Sequence, residues 1–272
     1  MFDAGTEPDI NMPSDDVDQS LAAAFSQQVD AYYSLPRVHR PRPEIAFSPS
    51  GVTKCARELY YMHSDVTPDD EPLVAWRQRV PRNGEAVHTA TQRDYLEMEQ
   101  KLRDAGVPVK FRFLEAEISG ERSYIVGGRK VTLRGRCDGQ IGVLGDNGEV
   151  IETIGLEIKT KDRMVNLNKV RKSGEPQSEH RQQAIAYALM WGIQKWLFAY
   201  ESLQKPSWGD VDKPDQFYVL IEVNREQAKA LLLRLARVVE QIETRTLPPP
   251  ELDHCGFCQF KTQCAKDDGY RA

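Results

Sequence analysis

Three side chains near the middle of the chain have the types and spacing that phosphoryl chemistry requires. Asp138 lies in GRCDG (135–139), and Glu157 and Lys159 lie in GLEIKTK (155–161). In an extended strand residues two apart share a face, so Glu157 and Lys159 point together while Ile158 points away. Two carboxylates on neighbouring strands make a hard oxygen site suited to Mg2+ or Mn2+. An adjacent lysine can steady negative charge developing on a phosphate. A lone Glu–Lys pair is more often a surface pair, so Asp138, on a separate predicted strand, is what gives the pattern weight. HRQQAIAYALM (180–190) adds Gln183 and Tyr187, one helical turn apart on one face. RNGEAVHTATQRDYLEME adds His88 on another predicted helix, where an imidazole nitrogen is a further candidate ligand.

A second group is sulfur. The chain has five cysteines, three of them in CGFCQFKTQC: Cys255, Cys258 and Cys264. Their spacing lets the sulfurs converge, and a fourth thiolate can come only from Cys55 or Cys137. Cys137 neighbours Asp138 and so points to the opposite face of its strand, as a small apolar residue. His254 adjoins Cys255 and is poorly placed to turn toward the same centre. Cys55 is left, and four thiolates suit either zinc or an iron–sulfur cluster.

These residues need a sheet and helices to hold them. SPSGVTKCARELYYM (48–62) predicts a helix with Ser48 as N-cap and Pro49 at its first position, and Val52, Cys55, Leu59 and Met62 facing inward. A second helix is expected from about Asn83 to Asp104. Strand-like runs follow at 110–119, 122–128, 130–144 and 149–161, separated by Gly-rich or Asp-Asn-Gly turns. Residues 178–200 predict one long helix, 216–223 a buried strand, and 224–246 a helix capped by Asn224. This order predicts an α/β or α+β domain around one central sheet. No GxxxxGK(S/T) loop and no GxGxxG turn occurs, which argues against an NTP motor or a dinucleotide site.

Taken together, GEAVH88, GRCD138G, E157IK159 and Q183AIAY187 resemble the PD-(D/E)XK nuclease superfamily, in its RecB-like exonuclease branch. With Cys55 and the C-terminal cysteines, the chain is similar to the iron–sulfur subgroup, which includes CRISPR-associated adaptation nucleases, AddB-type nucleases and phage-encoded exonucleases. The resemblance runs from about Phe47 to Cys264. It implies a restriction-endonuclease-like core, a central mixed sheet flanked by helices, with a 4Fe-4S cluster joining the N- and C-terminal segments. It further implies that His88, Asp138, Glu157 and the Ile158 carbonyl bind Mg2+ or Mn2+. Lys159 would be the catalytic lysine, with Gln183 and Tyr187 positioning it and the DNA. An acid on the first strand, Glu115 or Glu117, joins the site in some members. Cys55, Cys255, Cys258 and Cys264 would hold the cluster, in a structural role. The proline that gives the superfamily its name is replaced here by Cys137.

The net charge of −5 carries no global nucleic-acid signature, so DNA contacts must be local. KTKDRMVNLNKVRKSG (159–174) is such a stretch. Lys161, Arg163, Lys169, Arg171 and Lys172, with Lys54, Arg57 and Arg181, are the candidates to line a phosphate groove. With no base-reading pattern, contact with DNA backbone and ends is expected rather than sequence recognition. Residues 1–34 hold seven acidic residues and no Lys or Arg, and PRVHRPRPE follows as a proline-rich linker. The organisation expected is therefore residues 1–44 as tail and linker, and 45–272 as nuclease domain. No run has the length of a membrane span and the N-terminus shows no targeting pattern. The expectation is a cytoplasmic DNA exonuclease of a bacterial, archaeal or phage-infected cell, partnered with recombination, replication or CRISPR-adaptation proteins. The alternative is a nuclease-fold DNA-binding or scaffold subunit.

Overall fold

The structure, a computed structural model, describes residues 19–35, 44–69, 74–210 and 212–267. Contacts divide the chain into two units, residues 1–38 with 72–81 and residues 39–71 with 82–272. In the first unit, α1 (Gln19–Tyr33) is formed by QSLAAAFSQQVDAYY. There Asp30 pairs with Arg79 at 2.8 Å, and the Arg79 guanidinium lies over the Tyr33 ring. The acidic segment 1–18 and most of the proline-rich linker lie outside the described residues.

The remaining elements in chain order are α2 (Ala56–Met62), α3 (Ala75–Asp104), β1 (Phe111–Val126), β2 (Arg129–Leu144) and β3 (Val150–Lys161). Then come α4 (Met164–Ser173), α5 (Ser178–Trp191), β4 (Lys195–Ser202), β5 (Gln216–Glu222), α6 (Arg225–Glu243) and α7 (Lys261–Lys266). The strands form one five-stranded sheet in sequence order. β1, β2 and β3 pair antiparallel, β3 and β4 parallel, and β4 and β5 antiparallel. A parallel pair needs a crossover, which α4 and α5 supply. This is a mixed α/β fold, a five-stranded central sheet flanked by helices.

Each sheet face has its own apolar layer. Leu133, Cys137, Tyr187, Trp196, Phe198 and Leu235 belong to the larger one, which α5 and α6 help to form. Phe113, Ile141, Leu156 and Ile158 form the smaller one, with Tyr95 of α3 against it. Asn224 closes a capping box on α6, accepting from the Gln227 N–H while the Gln227 side chain accepts from the Asn224 N–H.

Several expected boundaries differ. The helix predicted over 178–200 stops at Trp191, where Gly192 takes a left-handed conformation (φ 73°), and the chain re-enters the sheet as β4. Trp196, Phe198 and Tyr200 alternate into the core with no exposed surface, a two-residue period that overrides the helical pattern before it. The strand runs at 110–119 and 122–128 are one strand, because Gly120 pairs with Gly135 and keeps the ladder unbroken. α3 passes through Pro81 instead of starting after it. Ahead of α2, Pro49–Gly51 forms only a 3-10 turn and Ser48 makes no capping bond. Packing decides that segment: Pro49 sits on Gly135 and Phe47 bridges to Leu133.

Gly155 sets the position of the residues that follow it on β3. A Cβ there would stand 2.3 Å from the Trp196 ring. Gly155→Ala should therefore destabilise the protein by about 1–3 kcal/mol, read as a lower denaturation midpoint in urea; an unchanged midpoint would show that the indole moves freely.

Candidate active site

The helix face of α3, the bend shared by β1 and β2, the end of β3 and the face of α5 converge on one polar cluster. Glu157 is buried, and its Oε1 accepts from Lys159 Nζ at 2.6 Å and from Gln183 Nε2 at 2.7 Å. Lys159 Nζ also donates to Gln183 Oε1 at 2.9 Å, so the three side chains close a ring. Tyr187, one turn after Gln183, accepts from its Nε2 at 2.7 Å and donates to the Arg136 carbonyl at 3.0 Å. The i, i+4 spacing on α5 therefore does what the sequence suggests, aiming Gln183 and Tyr187 at one point.

Asp138 lies beside this ring. Its Oδ2 accepts from the Ile158 backbone N–H at 2.6 Å, and its Oδ1 is 3.3 Å from His88 Nδ1. The Ile158 side chain is buried in the smaller apolar layer. Gly139 must be glycine, since a Cβ would meet the Phe113 ring at 2.5 Å and the Glu115 carbonyl at 2.8 Å. Across from Asp138 on β1, Glu117 adopts a left-handed conformation (φ 55°), and the β1–β2 register passes over this pair. Of the two first-strand acids, Glu117 reaches the cluster, while Glu115 is exposed. Glu117 Oε1 accepts from Gln92 Nε2 at 2.9 Å, and its Oε2 is 2.5 Å from Arg136 Nε. Gln92 Nε2 also donates to the Asp138 carbonyl at 2.8 Å.

Gln92 is the residue that sequence reasoning missed. The signal was present: Gly84, His88 and Gln92 recur every four residues, and Gly84 stands against Thr160 as His88 stands against Asp138. His180 was also passed over. It lies one turn before Gln183 and shares a 2.8 Å hydrogen bond with the Tyr200 hydroxyl. Burial, with Lys159 and Lys161 close by, pushes its pKa down to about 3, so it is neutral.

The electrostatics single out Glu157. Burial pushes its carboxyl up to about 7, Lys159 opposes the shift and Asp138 adds to it. Its Oε2, sealed from solvent, has no hydrogen-bond partner among the described residues. A bare carboxylate oxygen in such a place is costly unless a cation meets it. Burial works to lower the His88 pKa, but the hydrogen bond and charge of Asp138, with Glu157 behind it, raise it overall. Among the described residues no three His, Cys, Asp or Glu side chains form a ready-made metal group. The orphaned oxygen and the hard donor set nevertheless fit a divalent cation.

Among the described residues the cysteines likewise form no ready-made metal group, but four of them share one pocket. Cys55, Cys255, Cys258 and Cys264 line one pocket with Arg57, Glu58, Tyr61 and Glu251. Burial raises the pKa values of Cys255 and Cys258, and the proximity of Cys55 and Cys264 adds to the rise. Cys137 stays apart in the core; burial pushes its thiol up to about 12. His254 pairs with Asp253 at 3.7 Å.

The predicted DNA contacts divide. Arg163, Lys169 and Lys172 are exposed at the start and along α4. Lys161 lies over the Tyr200 ring and donates to Gln177. Arg171 is turned onto the Pro214 and Gln216 carbonyls, Lys54 pairs with Glu58, and Arg181 pairs with Glu175. Arg57 departs from the expectation altogether. It is buried, and its guanidinium donates to the Pro248 carbonyl at 2.7 Å and the Asp267 carbonyl at 3.2 Å, so it faces protein rather than phosphate.

Buried Glu157, half-buried Asp138 and Lys159 thus lie together on the mixed sheet, between α3 and α5. Residues 39–265 match the model of the PD-(D/E)XK nuclease superfamily, and the chain belongs to that superfamily. No curated protein sequence matches it. Among solved structures it is similar to SSO0001, at 17% identity and a TM-score of 0.45 over 90% of this chain and 95% of that one. It is also similar to the alkaline exonuclease LHK-Exo from Laribacter hongkongensis, at 14% identity and a TM-score of 0.45 over 80% and 93%. A phage related exonuclease from Haemophilus somnus 129PT gives 10% identity and a TM-score of 0.37 over 70% and 80%. No helix among the described residues is long and apolar enough to cross a membrane.

The raised acid implies a pH dependence. Folded Glu157 keeps its proton to about pH 7, whereas its ordinary value is 4.5, so the unfolded chain binds fewer protons between these limits. Stability must then fall as pH rises through that window, by on the order of 3 kcal/mol. His88, also raised, adds with the same sign. Melting the metal-free protein from pH 5 to 8 should show this fall, and Glu157→Gln should flatten it; identical slopes would remove Glu157 as its source.

Proposed function

We propose that the protein is a divalent-metal-dependent DNA exonuclease that hydrolyses phosphodiester bonds at DNA ends or in single strands. The unpartnered, buried oxygen of Glu157 beside Asp138 and Lys159 carries this reading. Asp138, Glu157, His88 and the Ile158 carbonyl would hold Mg2+ or Mn2+. The ion would neutralise charge on the scissile phosphate and lower the pKa of the attacking water. The chain's own work is positional. Lys159 is fixed by Glu157 and Gln183 where its ammonium can meet charge developing on the phosphate. Gln183 is held in turn by Tyr187, and Tyr187 by the Arg136 carbonyl. Gln92 and Glu117 keep the Asp138 backbone in place from the other side.

Residues 45–272 would form the nuclease domain, with 1–44 as an accessory tail and linker. Arg163, Lys169 and Lys172, with Lys161, would carry the DNA backbone toward Lys159. Cys55, Cys255, Cys258 and Cys264 would hold a 4Fe-4S cluster in a structural role. Three of the four sulfurs accept an N–H, which supports thiolate ligands there: Glu251 N to Cys55 at 3.4 Å, Phe260 N to Cys258 at 3.4 Å, and Arg57 Nη1 to Cys264 at 3.8 Å.

Purified protein incubated with DNA labelled at either end, single- or double-stranded, should degrade it only when Mg2+ or Mn2+ is present. Asp138→Ala, Glu157→Ala and Lys159→Ala should each abolish cleavage in a folded protein. Tight DNA binding without cleavage by the wild type would instead assign it a scaffold role. Lys169→Glu together with Lys172→Glu should weaken binding uniformly across sequences and reduce the salt slope by about 2; an unaltered slope places the backbone contact elsewhere.

A further inference from the structure

Arg57 is a buried cation whose partners among the described residues are all uncharged or sulfur. Its exposure is 7%, and no carboxylate among the described residues lies within ion-pair distance of it. Its Nε donates to the Pro248 carbonyl, and its Nη1 to the Asp267 carbonyl and to Cys264 Sγ. Removing a guanidinium from water without giving it an anion is expensive, and neutral carbonyls do not return that cost. The nearby buried acid, Glu58, is already engaged by Lys54. The anion facing Arg57 is therefore to be sought on the sulfur side.

The four cysteines of the pocket would supply it as thiolates around a bound metal. Four thiolates around either a 4Fe-4S core or a zinc ion leave a net negative charge on the centre. The backbone donors to Cys55 and Cys258 are dipoles, whereas the donor to Cys264 carries a full charge. We infer that Arg57 is the built-in counter-charge of the cysteine centre, holding Cys264 as a ligand and setting how readily the centre keeps its metal and accepts an electron. A fixed cation beside a cluster favours its more negative, reduced form, so removing the cation lowers the reduction potential. The guanidinium also ties α2 to Pro248 and to the end of α7, and Tyr61 adds a 2.6 Å bond to Asp267. Charge compensation and latching thus fall on one side chain. This inference rests on the proposed cysteine centre, and its test separates the two.

The full chain is reconstituted anaerobically with ferrous iron and sulfide, as wild type, Arg57→Gln and Arg57→Lys. Iron and sulfide content, the rate of iron loss to a chelator, and the midpoint of a reductive titration followed by visible absorbance are measured, with circular dichroism as the fold control. The wild type should bind iron and sulfide. Arg57→Gln should lose iron roughly tenfold to a hundredfold faster and titrate at a lower potential. Arg57→Lys, which keeps the cation, should hold iron within a few-fold of wild type. A folded Arg57→Gln protein with the wild-type loss rate and potential overturns the inference. So does a folded Arg57→Lys protein that cannot hold iron, because packing and not charge is then what matters. If the wild type takes zinc in place of iron and sulfide, the same chelator comparison decides. A wild type that holds neither metal removes the cysteine centre itself.

Discussion

One carboxylate governs the arrangement. Glu157 gives Oε1 to both Lys159 and Gln183 and leaves Oε2 bare in a sealed space. A second anion, Asp138, lies close enough to raise its proton affinity. Such an acid is tolerable in the interior because its neighbours are fixed and because the second oxygen can be met by a cation. Remove the carboxylate and the ammonium of Lys159 loses its anionic partner; remove Gln183 and both lose the side chain that bridges them. Catalytic proposals for this protein therefore reduce to how the fold keeps one glutamate where it is.

The fold does so from opposite sides. On one face of the sheet, Trp196 fills the space left by Gly155 and stacks on Tyr187, whose hydroxyl anchors Gln183. On the other, Tyr95 and Phe113 meet edge to face, and α3 presents His88 and Gln92 one turn apart to Asp138. The β1–β2 bend at Glu117 and Asp138 lies between these layers: Cys137 packs in the larger one and Ile141 in the smaller. The site is thus a seam between two cores, held by groups on both.

What could be read from sequence follows from range. Alternation placed Glu157 and Lys159 on one face, helical spacing placed Gln183 with Tyr187, and Asn224 marked the start of α6; all are local signals. The end of α5 was missed because Lys195–Tyr200 has apolar residues compatible with either period, and only the parallel slot beside β3 chooses the strand. Arg57 looked like a surface cation because its partners, Pro248 and Asp267, lie some two hundred residues away and accept through backbone carbonyls, which side-chain types do not announce. The choice between Glu115 and Glu117 needed the bend in β1, where a left-handed glutamate contradicts the usual preference for glycine.

The contacts of α2 and the turn before it join parts of the chain made at different times. Arg57, Tyr61 and the carbonyls of Val52 and Lys54 are engaged by Pro248, Asp267 and Arg234, all distant from them in sequence. On a ribosome the sheet and its acids can emerge and collapse well before these partners exist. A polypeptide arrested before Asp267 would carry every proposed catalytic side chain and still lack the Asp267 contacts of Arg57 and Tyr61.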